Sequence, residues 1–342
     1  MIRVVIAAAV ALAISIGVGP RFIEFLRRHE FGQHIREEGP RHHIAKQGTP
    51  TVGGLLILFA ATVAFLPVSH FRLQSLTVLF TALACGAIGF LDDFIKLTHR
   101  RSLGLPGRWK LLLLALVTAV VAIVARHLHL STDVYIPVID VTVPLSYAWY
   151  GFLFFVIAGA ANGTNLADGV DGLLAGTGII ALFTFMAMNV VSYVRSSNIP
   201  SHRNLTKLDL AIVGAALIGA AVGFLWFNAF PAEVQMGDTG SMAFGGALAA
   251  FAIMMKVEVL LLLLGGIFVI EALSVMIQVF SFKRFGRRVF LMAPIHHPFE
   301  MKAWSETKIT VRFWIVAGLL CAVGFALFYR YYFGQLPKLV HG

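Results

Sequence analysis

Long apolar runs recur along almost the whole chain of 342 residues. Most runs have roughly 18 to 25 residues, the length that an α-helix needs to cross the hydrocarbon core of a bilayer. Ten such spans lie near residues 2–20, 51–69, 74–94, 109–127, 146–161, 173–194, 208–229, 241–255, 259–280 and 311–333. The polar stretches between them are too short to bury a core of their own. The pattern predicts an all-α polytopic membrane protein in which residues 1–342 form a single integral membrane domain.

Basic residues indicate the orientation of these spans. Ten spans place both termini on one side and divide the loops into two alternating sets. The set with 18 of the 27 lysines and arginines comprises residues 21–50, 95–110, 162–172, 230–240 and 281–312. By the positive-inside rule this set is cytoplasmic and both termini are exterior. The net charge of +10 then serves topology and contact with anionic membrane lipid, so we expect no nucleic-acid partner.

The exterior segments are expected to carry no chemistry. Residues 134–145 alternate like a strand and contain two prolines, which predicts a small β-hairpin on the outer surface. Asp133, Asp140 and Asp209 fall in exterior loops, where a solvated surface role is the simplest interpretation. Cys85 and Cys321 lie within apolar spans and are interpreted as buried free thiols.

Acidic residues cluster on the predicted cytoplasmic side. The chain has only 17 acids, and acids are costly near lipid, so a one-sided cluster at span ends indicates a metal or phosphate site. Its members are Asp92, Asp93, Asp168, Asp171 and Asp238.

Asp92 and Asp93 end the third span. Acids at a helix C-terminus oppose the macrodipole unless a cation compensates. Successive side chains on a helix point about 100° apart, so one carboxylate could hold a metal-bound phosphate while the other accepts a proton. The simpler alternative is a solvated pair, or one salt-bridged to Lys96, Arg100 or Arg101.

The loop of residues 161–172 carries Asn162, Asn165, Asp168 and Asp171 among several glycines. Free backbone amides beside carboxamides suit a ribose, a uracil or a phosphate. Asp168 and Asp171 share a face if they lie in a first helical turn. An N-capped helix start is the alternative.

Asp238 opens the eighth span beside two glycines. One carboxylate at a helix start can hold Mg²⁺ together with substrate oxygens and water. An ordinary N-cap explains the same residue equally well.

Two adjacent histidines, His296 and His297, lie in the basic loop before the last span. The following Pro298 favours an extended backbone at His297, so the two imidazoles should contact different groups. Zinc would need further His or Cys ligands, which makes contact with a pyrophosphate or sugar the better interpretation. Surface histidines are the alternative. Glu271, deep in the ninth span, is either functional or part of an interhelical hydrogen bond.

Six strings of this chain resemble the bacterial phospho-N-acetylmuramoyl-pentapeptide transferases, within the polyprenyl-phosphate N-acetylhexosamine-1-phosphate transferase superfamily. The strings keep the family order and similar spacing and cover residues 35–40, 46–54, 92–96, 162–172, 236–241 and 287–300. The DD and MGD strings resemble the wider superfamily, whereas GTPT and APIHH resemble the muramoyl-pentapeptide branch. The family commonly has a third consecutive histidine, where this chain has Pro298.

The resemblance implies transfer of phospho-MurNAc-pentapeptide from UDP-MurNAc-pentapeptide to undecaprenyl phosphate in the bacterial cytoplasmic membrane, giving lipid I and UMP with Mg²⁺. It implies that Asp238 is the metal ligand and that Asp92, Asp93, His296 and His297 act with it in catalysis. The positions that match the family's substrate-binding residues are Lys46, Thr51, Lys110, Asn162, Asn165, Asp168 and Asp171. It leaves the base and the oligomeric state open, a homodimer being one alternative.

Two other functions remain as alternatives from sequence. A sister transferase would use UDP-GlcNAc, and the loop of residues 293–300 is the discriminating feature. A membrane transporter would need charges at the midplane and paired halves, and Glu271 is the one residue that fits.

Overall fold

A computed structural model describes residues 1–29, 48–99 and 104–334. The described part consists of helices and one two-stranded antiparallel sheet. The helices are α1 Ile2–Arg28, α2 Gly54–Phe65, α3 Leu73–Thr98, α4 Gly107–His127, α5 Ala148–Leu166, α6 Leu173–Arg195, α7 Leu205–Asn228, α8 Gly237–Met255, α9 Leu261–Leu264, α10 Gly266–Phe285, α11 His297–Met301 and α12 Glu306–Gly334. The strands are β1 Asp133–Ile136 and β2 Val141–Pro144, paired with Val134 opposite Val143.

Eight of these helices are long and apolar enough to cross a membrane, namely α1, α3, α4, α6, α7, α8, α10 and α12. The all-α, multi-pass membrane class is therefore confirmed. Two predicted spans fall short of that standard. α2 has 12 residues and continues as a 3₁₀ turn to Val68, and α5 ends in the polar sequence from Asn162 to Asn165. The count of ten and the orientation of the termini stay predictions.

The ninth span differs from its prediction. Instead of one helix over residues 259–280, the chain forms the short α9 and then α10, with a break at Gly265. Two successive glycines, Gly265 and Gly266, lie at the break, where their low helix propensity makes an interruption inexpensive.

α8 forms the centre of the bundle, and 94% of its span is buried by other helices. Glycines allow this close packing. A Cβ at Gly89 of α3 would lie 2.0 Å from the carbonyl oxygen of Asp238, and one at Gly54 of α2 would lie 2.1 Å from the backbone nitrogen of Gly240. Small residues at such contacts let helix backbones approach and pack by dispersion. The start of α8 is thereby held against α2 and α3.

The two ends of the bundle differ. We call the end with Asp92 and Asp238 the site end, and the end with the β1–β2 hairpin the hairpin end. The predicted hairpin over residues 134–145 is confirmed. Cys85 and Cys321 are free and buried, also as predicted.

The solvated role expected for Asp209 at the hairpin end is wrong. α7 begins at Leu205, so Asp209 lies inside the helix and is fully buried. Its carboxylate accepts hydrogen bonds from the Ser69 hydroxyl at 3.1 Å, from the backbone N–H groups of His70 at 2.6 Å and Arg72 at 3.0 Å, and from the Ser75 hydroxyl. These donors flank the start of α3, where backbone N–H groups lack intrahelical partners. Asp209 thus caps α3 from a neighbouring helix.

Candidate active site

Three aspartates converge where the last turns of α3 meet the first turn of α8. One carboxylate oxygen each from Asp92, Asp93 and Asp238 lies within 4.8 Å of the other two. The backbone contact at Gly89 brings the two helices this close. The predicted grouping of the three acids is therefore present in the structure.

Both carboxylate oxygens of Asp93 accept hydrogen bonds from the start of α8. One of its oxygens accepts the backbone N–H of Asp238 at 3.1 Å, and the other accepts the N–H and hydroxyl of Thr239 at 2.9 and 2.7 Å. These bonds satisfy two of the free N–H groups at the helix start. The cap of α8 thus comes from α3, and the N-cap position itself is Met236. Asp238 is not the N-cap, and its side chain is left for other partners.

Asp92 and Asp238 are held by two lysines. Lys96 Nζ lies 2.5 Å from Asp92 Oδ2 and 3.2 Å from Asp238 Oδ2. Lys110 Nζ, from the first turn of α4, lies 3.1 Å from Asp238 Oδ2 and 3.6 Å from Asp92 Oδ1. The backbone N–H of Leu105 also donates to Asp92, at 2.9 Å. The pairing that sequence offered only as a simple alternative for Asp92 is thus present, inside the candidate site.

Lys96 is absent from the predicted site residues. Its spacing of four from Asp92 places both on one helix face, and this was the available signal. Lys110, predicted to meet substrate anions, does lie in the site. Lys46 lies outside the described residues.

Backbone pairing brings the segment after Lys46 to the cluster. Gln235 N–H donates to the carbonyl of Pro50 at 2.7 Å, and Gly53 N–H donates to the carbonyl of Gln235 at 3.0 Å. Thr51 is buried there, and its hydroxyl lies 2.7 Å from the position of a Cβ at Gly237. Thr51 is therefore beside the start of α8, as its predicted substrate role requires.

The loop of residues 161–172 contributes two of its four candidates. Asn165 donates to the Ser241 hydroxyl of α8 at 3.0 Å. Burial, and then the negative charges of Asp238, Asp93 and Asp171, raise the pKa of Asp168 to about 8. Asp168 therefore belongs to the electrostatic environment of the cluster.

The other two candidates in this loop form hydrogen bonds with groups outside the aspartate cluster. Asn162 donates back to the carbonyl of Ala158 in α5 at 2.8 Å. Asp171 accepts from Ala232 N–H and from Gln235 Nε2, both at 3.0 Å. Residues 167–172 form turns, and α6 begins only at Leu173. Asp168 and Asp171 therefore do not share a helical turn, and Asp171 braces the segment that precedes α8.

The two histidines contact different groups, as predicted, and both of these groups are glutamates, which sequence did not predict. His296 Nδ1 lies 3.1 Å from Glu271 Oε1, and His297 Nδ1 lies 2.6 Å from Glu300 Oε2. The extended backbone expected at His297 is wrong, because His297 begins α11. Pro298 fits the first turn of that helix, where its missing N–H costs no intrahelical bond. Glu271 bonds a loop histidine, which sequence did not predict.

The cluster has the chemistry of a divalent-cation site. Its groups are all carboxylates, the hard oxygen ligands that Mg²⁺ prefers. Two ammonium groups face three carboxylates, so the lysines alone do not supply full charge compensation. The residues present therefore fit a divalent cation bound with substrate oxygens.

The chain is similar to known membrane transferases. Residues 75–256, which include the three aspartates, match the model of glycosyl transferase family 4. A phospho-N-acetylmuramoyl-pentapeptide-transferase of Rubrobacter xylanophilus is 43% identical over 98% of this chain and 100% of its own length. Enzymes of the same name from Geobacillus kaustophilus and Halalkalibacterium halodurans are 46% and 45% identical, over 94% and 92% of this chain and 96% and 93% of their own. The chain belongs to the phospho-N-acetylmuramoyl-pentapeptide-transferase family.

Proposed function

We propose that this protein transfers phospho-MurNAc-pentapeptide from UDP-MurNAc-pentapeptide to undecaprenyl phosphate, giving lipid I and UMP. The observation that carries the proposal is the meeting of Asp92, Asp93 and Asp238 with Lys96 and Lys110 at one end of a bundle of membrane helices. Family membership supplies the substrate class. Carboxylates and ammonium groups together suit a reaction between two phosphate groups, because both metal and phosphate charges find partners there.

The reaction is a direct displacement. An oxygen of undecaprenyl phosphate forms a bond to the sugar-side phosphorus of the pyrophosphate, and the bond from that phosphorus to the bridging oxygen breaks as UMP leaves. The protein contributes chiefly position and charge neutralisation. Lys96 and Lys110 are placed to exchange their carboxylate partners for phosphate oxygens.

Asp92 is the better candidate for accepting a proton from undecaprenyl phosphate, if that phosphate carries one. Both oxygens of Asp93 already accept hydrogen bonds from the start of α8. The partners of Asp92 include two lysine ammonium groups that can move. A phosphorylated aspartate that forms and decays at the rate of turnover would contradict direct displacement.

Mg²⁺ fits as the cofactor, with Asp238 as its ligand and Asp92 close enough to assist. When bound, it would supply charge neutralisation on the pyrophosphate oxygens. We expect Asp168, Asn165 and Thr51 to contact the nucleotide sugar, because all three lie beside the aspartate cluster or the start of α8.

We further propose that the site end faces the cytoplasm of a bacterial cell, with the protein in the cytoplasmic membrane and both termini exterior. The excess of lysine and arginine in the loops of that end supports this orientation. A homodimer stays a prediction of the family resemblance.

The test is Mg²⁺-dependent UMP release by the purified protein with undecaprenyl phosphate. UDP-MurNAc-pentapeptide and UDP-GlcNAc are compared as donors, and Asp238→Asn is the control. We expect release from the muramoyl substrate alone, lost in the variant. Release from UDP-GlcNAc would assign the sister reaction, and release from neither would reopen the transporter alternative.

A further inference from the structure

A buried glutamate and a buried histidine form a pair between α10 and the loop that follows it. Glu271 is fully buried, and His296 is 1% exposed. Glu271 Oε2 accepts the backbone N–H of Ile295 at 2.8 Å, and Oε1 lies 3.1 Å from His296 Nδ1. An ionised carboxylate has only acceptors, so Nδ1 must carry a proton in either charge state of the imidazole.

The other ring nitrogen of His296 points at the loop of residues 161–172. His296 Nε2 is buried and has no hydrogen-bond partner within the described residues. A Cβ at Gly169 would lie 2.3 Å from it, so only glycine lets the imidazole sit at this point. Gly169 directly follows Asp168, which interacts electrostatically with the aspartate cluster. The pair thus connects α10 to the loop that is placed to contact the nucleotide sugar.

We infer that Glu271 is a positioning residue for the nucleotide-sugar side of the site, acting by fixing the tautomer and orientation of His296 against Gly169. Only the kinetic test of this inference depends on the proposed function. A buried carboxylate that holds one nitrogen of a histidine decides what the other nitrogen can do. Glu271 thereby determines whether His296 Nε2 is a hydrogen-bond donor or acceptor beside Asp168.

Glu271→Gln tests this with little change of shape. The amide has one oxygen and one NH₂ group, and the Ile295 N–H requires the oxygen. The NH₂ group then faces His296 Nδ1, which must become an acceptor, so the proton moves to Nε2. Replacing a carboxylate beside a histidine by its amide can reduce catalysis by forcing the wrong tautomer while the geometry stays intact.

The first readout is the ¹⁵N spectrum of the full-length protein labelled at its 12 histidines, without substrate. His296→Gln identifies the signals of His296 by their loss. We expect a protonated Nδ1 in the wild type and a protonated Nε2 in Glu271→Gln. A wild type with Nδ1 unprotonated, or a variant with an unchanged tautomer, would overturn the inference.

The second readout is the KM of each substrate. We expect Glu271→Gln to raise the KM of UDP-MurNAc-pentapeptide by about 10-fold to 100-fold and to leave the KM of undecaprenyl phosphate unchanged. Glu258→Gln is the matched control, because Glu258 is also buried but bonds Trp149 and Lys256 at the hairpin end. Equal effects of the two variants on these KM values would show that Glu271 has only a structural role and would contradict the inference.

Gly169→Ala keeps the inference testable if Glu271→Gln does not fold. The added methyl group would displace His296 while Glu271 stays intact, so the KM of the UDP substrate should rise in the same selective way. An unchanged KM would contradict the inference. A wild type that does not turn over the muramoyl substrate would defeat the proposed function, whereas the tautomer measurement would still decide the role of Glu271.

Discussion

Buried or partly buried carboxylates lie at both ends of this bundle, and their partners differ. Asp209, at the hairpin end, accepts from hydroxyls and backbone N–H groups around the start of α3. Asp92 and Asp238, at the site end, face the ammonium groups of Lys96 and Lys110. Donors fixed in the backbone cannot leave, whereas lysine side chains can turn to another anion. The difference in partners therefore separates Asp209, a structural carboxylate, from Asp238, which is available for chemistry.

Asp93 has features of both the structural carboxylates and the carboxylates of the site. It lies in the aspartate cluster, yet its bonds to Asp238 and Thr239 are those of a helix cap, as at Asp209. The comparison therefore predicts three different outcomes. Substitution of Asp238 should reduce activity alone, substitution of Asp93 should reduce activity and stability, and substitution of Asp209 should mainly reduce stability.

Asp238→Asn should have the largest effect. We expect loss of UMP release on the order of 10³-fold, because the charge that would hold a metal ion is removed. The thermal unfolding midpoint in detergent should change little, since Asp238 caps no helix. Substantial residual activity at saturating Mg²⁺ would break the assignment of Asp238 as ligand.

Lys110→Met should lower the turnover rate by about 10²-fold, the usual cost of losing one charge-stabilising donor. Lys256→Met is the matched control, because Lys256 pairs with Glu258 at the hairpin end. UMP release from the two variants is compared. Equal losses of UMP release in the two variants would show that the lysine–carboxylate pairs at the two ends contribute equally to activity.

Asp93→Asn should reduce both the free energy of unfolding and the release of UMP. The amide would place an NH₂ group against a backbone N–H or the Thr239 hydroxyl, which costs about 1–3 kcal/mol of unfolding free energy. We also expect roughly 10-fold lower UMP release from the folded fraction, because Asp238 loses its support. Full stability with a loss of activity as large as that of Asp238→Asn would place Asp93 directly in the chemistry instead.

Asp209→Asn should have the smallest effect on activity. The same donor clash at the start of α3 predicts a cost of about 1–3 kcal/mol in stability, measured as a lower unfolding midpoint. UMP release per folded molecule should stay within about twofold of the wild type, as expected for a site without contact with substrate. A selective loss of activity would remove the distinction between the two ends.

Apolar periodicity predicts most of this fold, because helices that cross a bilayer need long apolar sequences wherever they lie. It fails at Gly265, where one apolar run forms two helices. Within the site, the grouping of Asp92, Asp93 and Asp238 follows from loops placed on one side. Sequence did not predict that Asp93 caps α8 or that Asp171 braces the segment before it, because the rotation of each helix depends on packing against distant neighbours. Asp209 was assigned to solvent because the predicted span began at residue 208, which left Asp209 at its edge, whereas α7 begins at Leu205.

The central position of α8 has a consequence for how the protein is made. Its mean hydropathy of 1.2 is the lowest of the eight long helices, compared with 2.3 for α1 and α7. Glycine and alanine gain little free energy by entering lipid, so α8 carries a weak insertion signal of its own. We expect the growing chain to need α3, the helix that packs most extensively against α8, before the helix bearing Asp238 can be retained in the membrane.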